Sequence, residues 1–510
     1  MRFWLGVGLA LFLFPAVAAG AIGVGLSPLS AGIAGATLAA AIAGLLSRHL
    51  LLATGFAFAT RRWLAVTAVI ATIAAAAQVF PLTLFMIDSN RVEYSMKPGD
   101  TFRSRHSCMS SYAEGARFAS EGSSNIYDVA LYKPRYLGTL QVDPYHYPPP
   151  FLLLPQSMRV VAPEFTQFRA LWFAMQLLLI VGAFVAASVW ISGVAGATVL
   201  AGGALVLALP GTLFALQQGN FQVSATPLAV LGFTLLLAGR LGSGATILAW
   251  TAAAKIFPGI LVVHLIAARK WPAVAWLAGM GIALLALTLA VQGTRPVHDF
   301  VTHAMPEITD ASAFPQTEAP ASGSVNWTVY GLTVRLRHLG ADWMTKPVGL
   351  AIASIYGILV IALAAFAGWG RPLRIDTPSG RLTVLQVAVA LVGLAAFRSP
   401  FAGAHYGAVS TLCLLALLAA GTSSYRDARL WLVAMVVYGL TAWTIPSPTA
   451  PASGMWLVIT GVMLVFAVGL NLWVVLRAAR RSAPPPEVAG EDATYMVPRR
   501  GAPAASVAPL

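Results

Sequence analysis

The sequence predicts an all-α polytopic membrane protein, and three observations carry that prediction. Hydrophobic residues make up 58% of the chain and charged residues only 10%, where a soluble domain has about 25% charged. The mean hydropathy is +0.77. Apolar runs of about 18 residues or more recur from end to end, each long enough to cross a bilayer as a helix.

Twelve such runs can be placed, at 3–25, 30–47, 63–86, 168–190, 195–216, 222–239, 272–292, 348–368, 383–397, 404–420, 430–446 and 455–476. The first, following Arg2, competes with a signal-peptide reading. It exceeds a typical signal core and more spans follow at once, so it is read as an uncleaved helix. Two further pieces, Phe151–Val161 and Ala245–Ile266, fit re-entrant or interfacial helices. Pro155 interrupts one and Pro258 divides the other, and broken helices at membrane depth line cavities.

The basic residues set the orientation. With the N-terminus inside, the inner loops hold 15 basic residues against two acids, Asp376 and Asp427, while the outer segments hold 13 of each. This asymmetry follows the positive-inside rule and requires Ala245–Ile266 not to cross. The net charge of +14 is therefore a topology signal and not a nucleic-acid footprint. The expected division is 1–86, N-terminal helices; 87–167, a first outer loop; 168–291, helices with a re-entrant segment; 292–346, a second outer loop; 347–477, C-terminal helices; and 478–510, a Pro- and Ala-rich tail expected to be disordered on the inner side. Arginine outnumbers lysine and alanine is abundant, a composition that suits a GC-rich bacterium, and the expected location is the bacterial inner membrane. Cys108 and Cys413 imply no disulfide framework.

The chemistry concentrates outside. Thirteen of the 18 acids lie in the two outer loops and none in a predicted span. Proton-coupled transport needs carboxylates at membrane depth, so a transporter fits poorly and any carboxylate base works at the outer surface. The membrane-depth ionisable groups are Lys255, His264, Arg398 and His405. A buried cation without a carboxylate needs another anion, which a lipid phosphate could supply; otherwise its stem stays apolar while its head snorkels to the interface. His264 reads as a structural histidine. No GxxxxGK[ST] loop, HExxH motif, zinc-spaced cysteine–histidine cluster or Asp-x-Asp pair is present, so no metal or cofactor is expected. Asn326-Trp-Thr328 has the form of a glycosylation sequon, or offers an amide to a substrate hydroxyl.

Several segments, taken in order, carry a resemblance. They are Tyr112-x-x-Gly-Ala-Arg-x-x-x-x-Gly122 leading to Asn125-Ile-Tyr-Asp128, then His146-Tyr-Pro-Pro-Pro-Phe151 and Leu216-Gln-Gln-Gly-Asn-Phe-Gln222. After these come Lys255-Ile-Phe-Pro-Gly259, Asn326-Trp-Thr-Val-Tyr-Gly331 and Arg398-Ser-Pro-x-x-x-x-His405-Tyr406. The ordered set resembles glycosyltransferase family 87, the polyprenol-phosphate-mannose-dependent mannosyltransferases of the GT-C fold. The resemblance implies a metal-independent, inverting sugar transfer on the periplasmic face, from a polyprenyl-phosphate sugar to a glycolipid or glycan acceptor. Lys255, Arg398 and His405 would hold the donor phosphate. Tyr112, His146, Tyr147, Gln218, Asn220 and Asn326 would bind substrate.

The chain departs from the family in one place. Where the family often has an aspartate just before the first-loop tyrosine, as the base, this chain has Cys108. Asp143, Asp128 and Glu114 are the candidate replacements, with Asp100 also near. Asp143 is favoured for its proximity to His146, although Asp128 could be a helix cap, Asp143 a turn former and Glu114 a solvated helix-face residue. The rival readings are a lipid-linked-sugar flippase and a non-catalytic membrane scaffold.

Overall fold

The computed structural model describes residues 2–123, 125–369, 375–422, 424–446 and 453–481. The tail beyond Arg481 and the inner-loop residues Arg371 and Arg374 lie outside the described residues.

Three helices open the chain: α1 (Arg2–Gly23), α2 (Pro28–Thr60) and α3 (Arg62–Ile87). Ser27 caps α2 by accepting from Ser30 N at 3.3 Å, and Pro28 fills the first helical position, where no amide hydrogen is needed. The long polar loop then forms α4 (Thr101–Arg105), β1 (His106–Ser107), α5 (Cys108–Ser120), β2 (Tyr136–Leu137), β3 (Leu140–Val142) and α6 (Leu153–Val161). In the resulting three-stranded patch β3 is central, parallel to β1 and antiparallel to β2.

The chain re-enters the bundle with α7 (Phe165–Ile191), α8 (Gly193–Ala208), α9 (Pro210–Gln218) and α10 (Gln222–Leu237). Leu209 is extended and Pro210 starts α9, so α8 and α9 meet at a 65° bend. After α11 (Leu241–Lys255), α12 (Ile260–Ala267) and α13 (Trp271–Gln292) comes the second outer loop. It carries the short α14 (Arg295–Asp299), α15 (Met305–Thr309) and α16 (Pro320–Val325), and then α17 (Val329–His338). The bundle closes with α18 (Lys346–Gly368), α19 (Pro378–Ala396), α20 (Ala404–Ala420), α21 (Tyr425–Thr444) and α22 (Gly454–Arg481).

The protein is thus an all-α polytopic membrane protein, and each of the twelve apolar runs is helical. Among the described residues, seven helices are long and apolar enough to cross a membrane, or eight if the bent α8–α9 pair is one span. The described apolar stretch of α1 (Gly8–Gly23), together with α10 and α20, is apolar but shorter. Ile282 and Leu285 of α13 and Ile355 and Ile358 of α18 stand exposed, as side chains facing lipid do.

Contacts sort the helix ends into two sets. At one end the Arg429 guanidinium packs on Tyr425 and Trp63, Arg381 donates to the Trp190 carbonyl, and Gly368 abuts Ala267. At the other end Lys97 donates to the Trp443 carbonyl, Arg103 to those of Ile445 and Pro446, and Gln292 to that of Pro149. The segment 241–267 begins and ends in the first set: Gly242 lies beside Trp276 and Ala267 beside Gly368. α11 and α12 therefore form a hairpin whose tip points into the bundle. Its fit against α10 depends on glycine. A Cβ at Gly244 would sit 2.8 Å from the Gly232 carbonyl oxygen, and one at Gly232 3.0 Å from that of Gly244. Close approach of small residues replaces hydrophobic driving force between helices in lipid.

Candidate active site

The hairpin tip meets the underside of the polar loop. Lys255 ends α11, and Ile256 then turns the chain with φ 48° before a 3-10 turn at Phe257–Gly259. A β-branched residue at positive φ is strained, by about 1–3 kcal/mol, and persists where its surroundings over-determine it. The turn places Lys255 against the loop. Its Nζ lies 3.2 Å from Tyr147 Oη and 4.2 Å from the centre of the same ring.

Tyr147 is one member of a buried aromatic group. Tyr112, fully buried on α5, packs against Tyr147, Phe151 and Trp172 with ring centres 4.9–5.0 Å apart. Tyr112 Oη donates to Tyr147 Oη at 3.0 Å and accepts from Phe221 N at 3.2 Å. Burial pushes both phenols well above their ordinary range, so both remain neutral donors.

The α9–α10 junction supplies the amides. Gly219 caps α9 in the left-handed region at φ 70°, and a Cβ there would come within 2.2 Å of Met109, so no other residue fits. Trp172 Nε1 donates to the Gly219 carbonyl at 2.9 Å and Gln176 to that of Asn220 at 3.2 Å. With the backbone fixed, Asn220 Nδ2 reaches Cys108 Sγ at 3.5 Å and Gln218 Oε1 accepts from Tyr406 Oη.

On the loop side, β1–β3 pairing sets His106 opposite Gln141 and Ser107 opposite Val142. Ser110 Oγ accepts from Asp143 N at 3.0 Å and Phe102 stacks on the His106 ring. Asp143 Oδ2 thereby sits 3.2 Å from His106 Nδ1, both side chains a quarter exposed. Partial burial opposes the imidazolium, but the Asp143 carboxylate outweighs it and, with Cys108, raises the His106 pKa well above the ordinary value. His106 Nε2 faces Cys108 Sγ at 3.9 Å.

Asp143, Asn220 and Gln218 are thus joined through His106, Cys108 and Tyr406, while Lys255, Tyr147 and Tyr112 form a second linked group that meets the first where Tyr112 accepts from Phe221 N, next to Asn220. The sequence reading did not include His106. Its spacing from Cys108 gave no signal, since β1 ends at Ser107 and Cys108 begins α5.

The other expected site residues lie elsewhere. Glu114 is buried, its carboxylate taken by Arg117 at 2.7 Å and Arg135 at 3.3 Å; it is not the solvated residue a helical reading allowed. Asp128 is exposed and caps a 3-10 turn through Ala130 N at 2.9 Å. His146 lies edge-on to Phe314 of the second outer loop, and burial pushes its pKa down to about 4. Asn326 is fully buried: it donates to the Pro400 carbonyl and accepts from Thr328 Oγ1 and Ala402 N. The stem of Arg398 packs on Gly357. His405 occupies a separate niche, edge-on to Phe214 and tilted over Trp443. There Lys97 and Arg103 cap the C-terminal carbonyls of α21. His264 Nδ1 donates to the Ala364 carbonyl at 3.2 Å, between helices, as a structural histidine does.

Two other features bear on ligands. A cavity of about 560 Å³ runs along α10 toward Arg240, lined by Phe184, Trp190, Val230, Leu385 and Cys413, apart from the polar cluster. His106, Cys108 and Asp143 bring an imidazole nitrogen, a thiol and a carboxylate oxygen within 4.8 Å of one another, a donor set that suits a zinc ion. However, Asp143 and Cys108 face opposite ring nitrogens, so an ion shared by all three would need the imidazole to turn.

Residues 145–420 match the model of a known family, described as glycosyltransferase family 87. No curated protein and no solved structure matches the chain. The matched span includes Tyr147, Gln218, Asn220, Lys255 and Tyr406 but begins just after Asp143, leaving His106, Cys108 and Asp143 outside it.

Proposed function

The chain belongs to glycosyltransferase family 87 and is a membrane glycosyltransferase, and from that premise we propose that it moves a hexose or pentose, mannose being the family's suggestion, from a polyprenyl-phosphate donor to an acceptor hydroxyl. The acceptor is a glycolipid or glycan, and the reaction occurs on the periplasmic face of a bacterial inner membrane with both termini inside. One observation carries the reading. Lys255 stands at the tip of a hairpin inside the bundle, bonded to a neutral tyrosine and to no carboxylate among the described residues. A cation held there without a protein anion suits a lipid phosphate.

In this mechanism the polyprenyl tail stays among the helices and the phosphate meets Lys255 and Tyr147. Gln218 and Asn220 orient the sugar. The acceptor oxygen attacks the anomeric carbon, the bond to the phosphate oxygen breaks, and the charge that grows on the phosphate is stabilised by Lys255. The acceptor proton passes to a base on the polar loop, and a single displacement inverts the anomeric centre.

The test is reconstitution in liposomes with a radiolabelled polyprenyl-phosphate sugar. Label should pass to acceptor, and Lys255→Ala should abolish most of the transfer. Movement of labelled lipid between leaflets without transfer would instead make the protein a flippase, and neither event would make it a scaffold.

A further inference from the structure

We propose that Cys108 is the catalytic residue that takes the acceptor proton, with His106 and Asp143 behind it as one unit. This rests on the glycosyl-transfer reading above and names the base that reading lacks.

Three observations converge on Sγ. First, the atoms run in the order carboxylate, imidazole, thiol: Asp143 Oδ2 is 3.2 Å from His106 Nδ1, and His106 Nε2 is 3.9 Å from Cys108 Sγ. Each partner uses a different ring nitrogen, so the carboxylate orients the imidazole and the imidazole addresses the sulfur. That is the logic of an activated thiol. Second, the order is built into the backbone, by the β1–β3 register, the Ser110 bond to Asp143 N and the stacking of Phe102 on His106. Third, Sγ is where the loop touches the transmembrane half of the site. Asn220 Nδ2, a hydrogen-bond donor, lies 3.5 Å away, and Tyr406 Oη, whose own hydrogen goes to Gln218 Oε1, lies at 3.8 Å. Cys108 also begins the 13-residue α5, whose N-terminal dipole favours negative charge.

The proton balance closes. In the proposed step Sγ passes its own proton to His106 Nε2, whose Nδ1 faces Asp143. The acceptor hydroxyl gives its proton to Sγ as its oxygen bonds the anomeric carbon. The bond from that carbon to the donor phosphate breaks, and its electron pair leaves on the phosphate oxygen beside Lys255. One proton then leaves through the quarter-exposed His106–Asp143 pair and restores the starting state. An ordinary thiol titrates about four units above an ordinary aspartate, closer to working pH, which suits it to general-base work. Cysteine at the family's aspartate position is then a replacement base rather than a lost one.

The experiment has two arms, both on the full chain in a Cys413→Ser background, which leaves one thiol. In the first, alkylation of Cys108 by iodoacetamide at neutral pH is followed by mass spectrometry. It should be at least about tenfold faster than in His106→Gln, with Asp143→Asn between them. In the second, Cys108→Ala and the near-isosteric Cys108→Ser should each lower the transfer rate about 100-fold or more, while Cys108→Asp should recover at least about a tenth of it. Thermal melting checks that each variant is folded. If the parent transfers sugar and Cys108→Ala and Cys108→Ser match it, the proposal falls and the glycosyltransferase reading stands; no transfer by the parent sinks both. A retained anomeric configuration would make Sγ a nucleophile and overturn the proposal. So would alkylation that EDTA accelerates, since the three side chains would then be holding a metal ion.

Discussion

Lys255 Nζ and Tyr147 Oη, 3.2 Å apart, join the hairpin tip to the polar loop, and the ammonium also lies over the tyrosine ring at 4.2 Å. One residue comes from a helix buried in the bundle and the other from a loop 108 positions earlier. In the proposed reaction, their contact is where the donor phosphate and the acceptor would meet.

Removing the ammonium should lower the transfer rate more than it weakens donor binding, because charge grows on the phosphate as the sugar leaves. Lys255→Ala is expected to reduce kcat about 10²–10³-fold. Lys255→Arg should not fully restore it, since the longer, planar guanidinium places its charge differently from the compact ammonium that meets Tyr147 Oη. Steady-state transfer from a polyprenyl-phosphate sugar measures both.

The His106–Asp143 pair should make stability fall with rising pH. The folded-state pKa of His106 is raised, so its stabilising contribution is fully present below the ordinary histidine value and is lost as pH climbs through the raised one. The melting temperature of the wild type should therefore decline on the alkaline side of neutrality. Asp143→Asn should start its decline at lower pH, and indistinguishable profiles would contradict the pairing.

Glu114 and Asp128 should separate from Asp143 when each is neutralised. Glu114→Gln takes its carboxylate from Arg135 and leaves Arg117 paired with Glu121 alone, and is expected to cost about 1–2 kcal/mol of stability, less than a fully buried pair because Arg135 is half exposed. Asp128→Asn keeps a capping side chain and should cost under about 1 kcal/mol. Both should keep kcat within about twofold in transfer assays on folded protein.

Asn326 should behave as a clamp between the second outer loop and the 398–403 turn. Asn326→Ala removes three side-chain hydrogen bonds, to Pro400 O, Ala402 N and Thr328 Oγ1, and is expected to lower stability by about 2 kcal/mol. Below its melting temperature, transfer should remain within a few-fold of wild type. Thermal unfolding beside the transfer assay separates the two effects.

Much of this was legible in the residues. Long apolar runs located the helices, and the basic residues required 241–267 to return to the side it came from; the contacts of Gly242 and Ala267 agree. Pro258 marked the tip. Lys255 stood out because an unpaired cation in an apolar segment demands an explanation. The Asp143–His106 pairing was not legible, because it depends on register between strands of two and three residues, too short for an alternation pattern. Asn326 drew attention as a substrate ligand because a buried amide presents the same groups to a sugar as to a turn. His405 was grouped with Lys255 by motif, but it is one step from Tyr406 on a helix, where neighbours point about 100° apart. Glu114 sits three residues before Arg117, a spacing that brings side chains together on a helix and could have revealed the ion pair.

Because both arms of the α11–α12 hairpin rise from the same end, the elevation of Lys255 is set by arm length rather than by side-chain reach. The 15 residues of α11 make a post about 22 Å tall at the usual rise per residue. Lengthening or shortening both arms by one turn would shift the cation by about 5 Å while keeping its chemistry. On the proposed function, the depth at which the donor phosphate is held is therefore set by helix length and can change while every reacting residue stays the same.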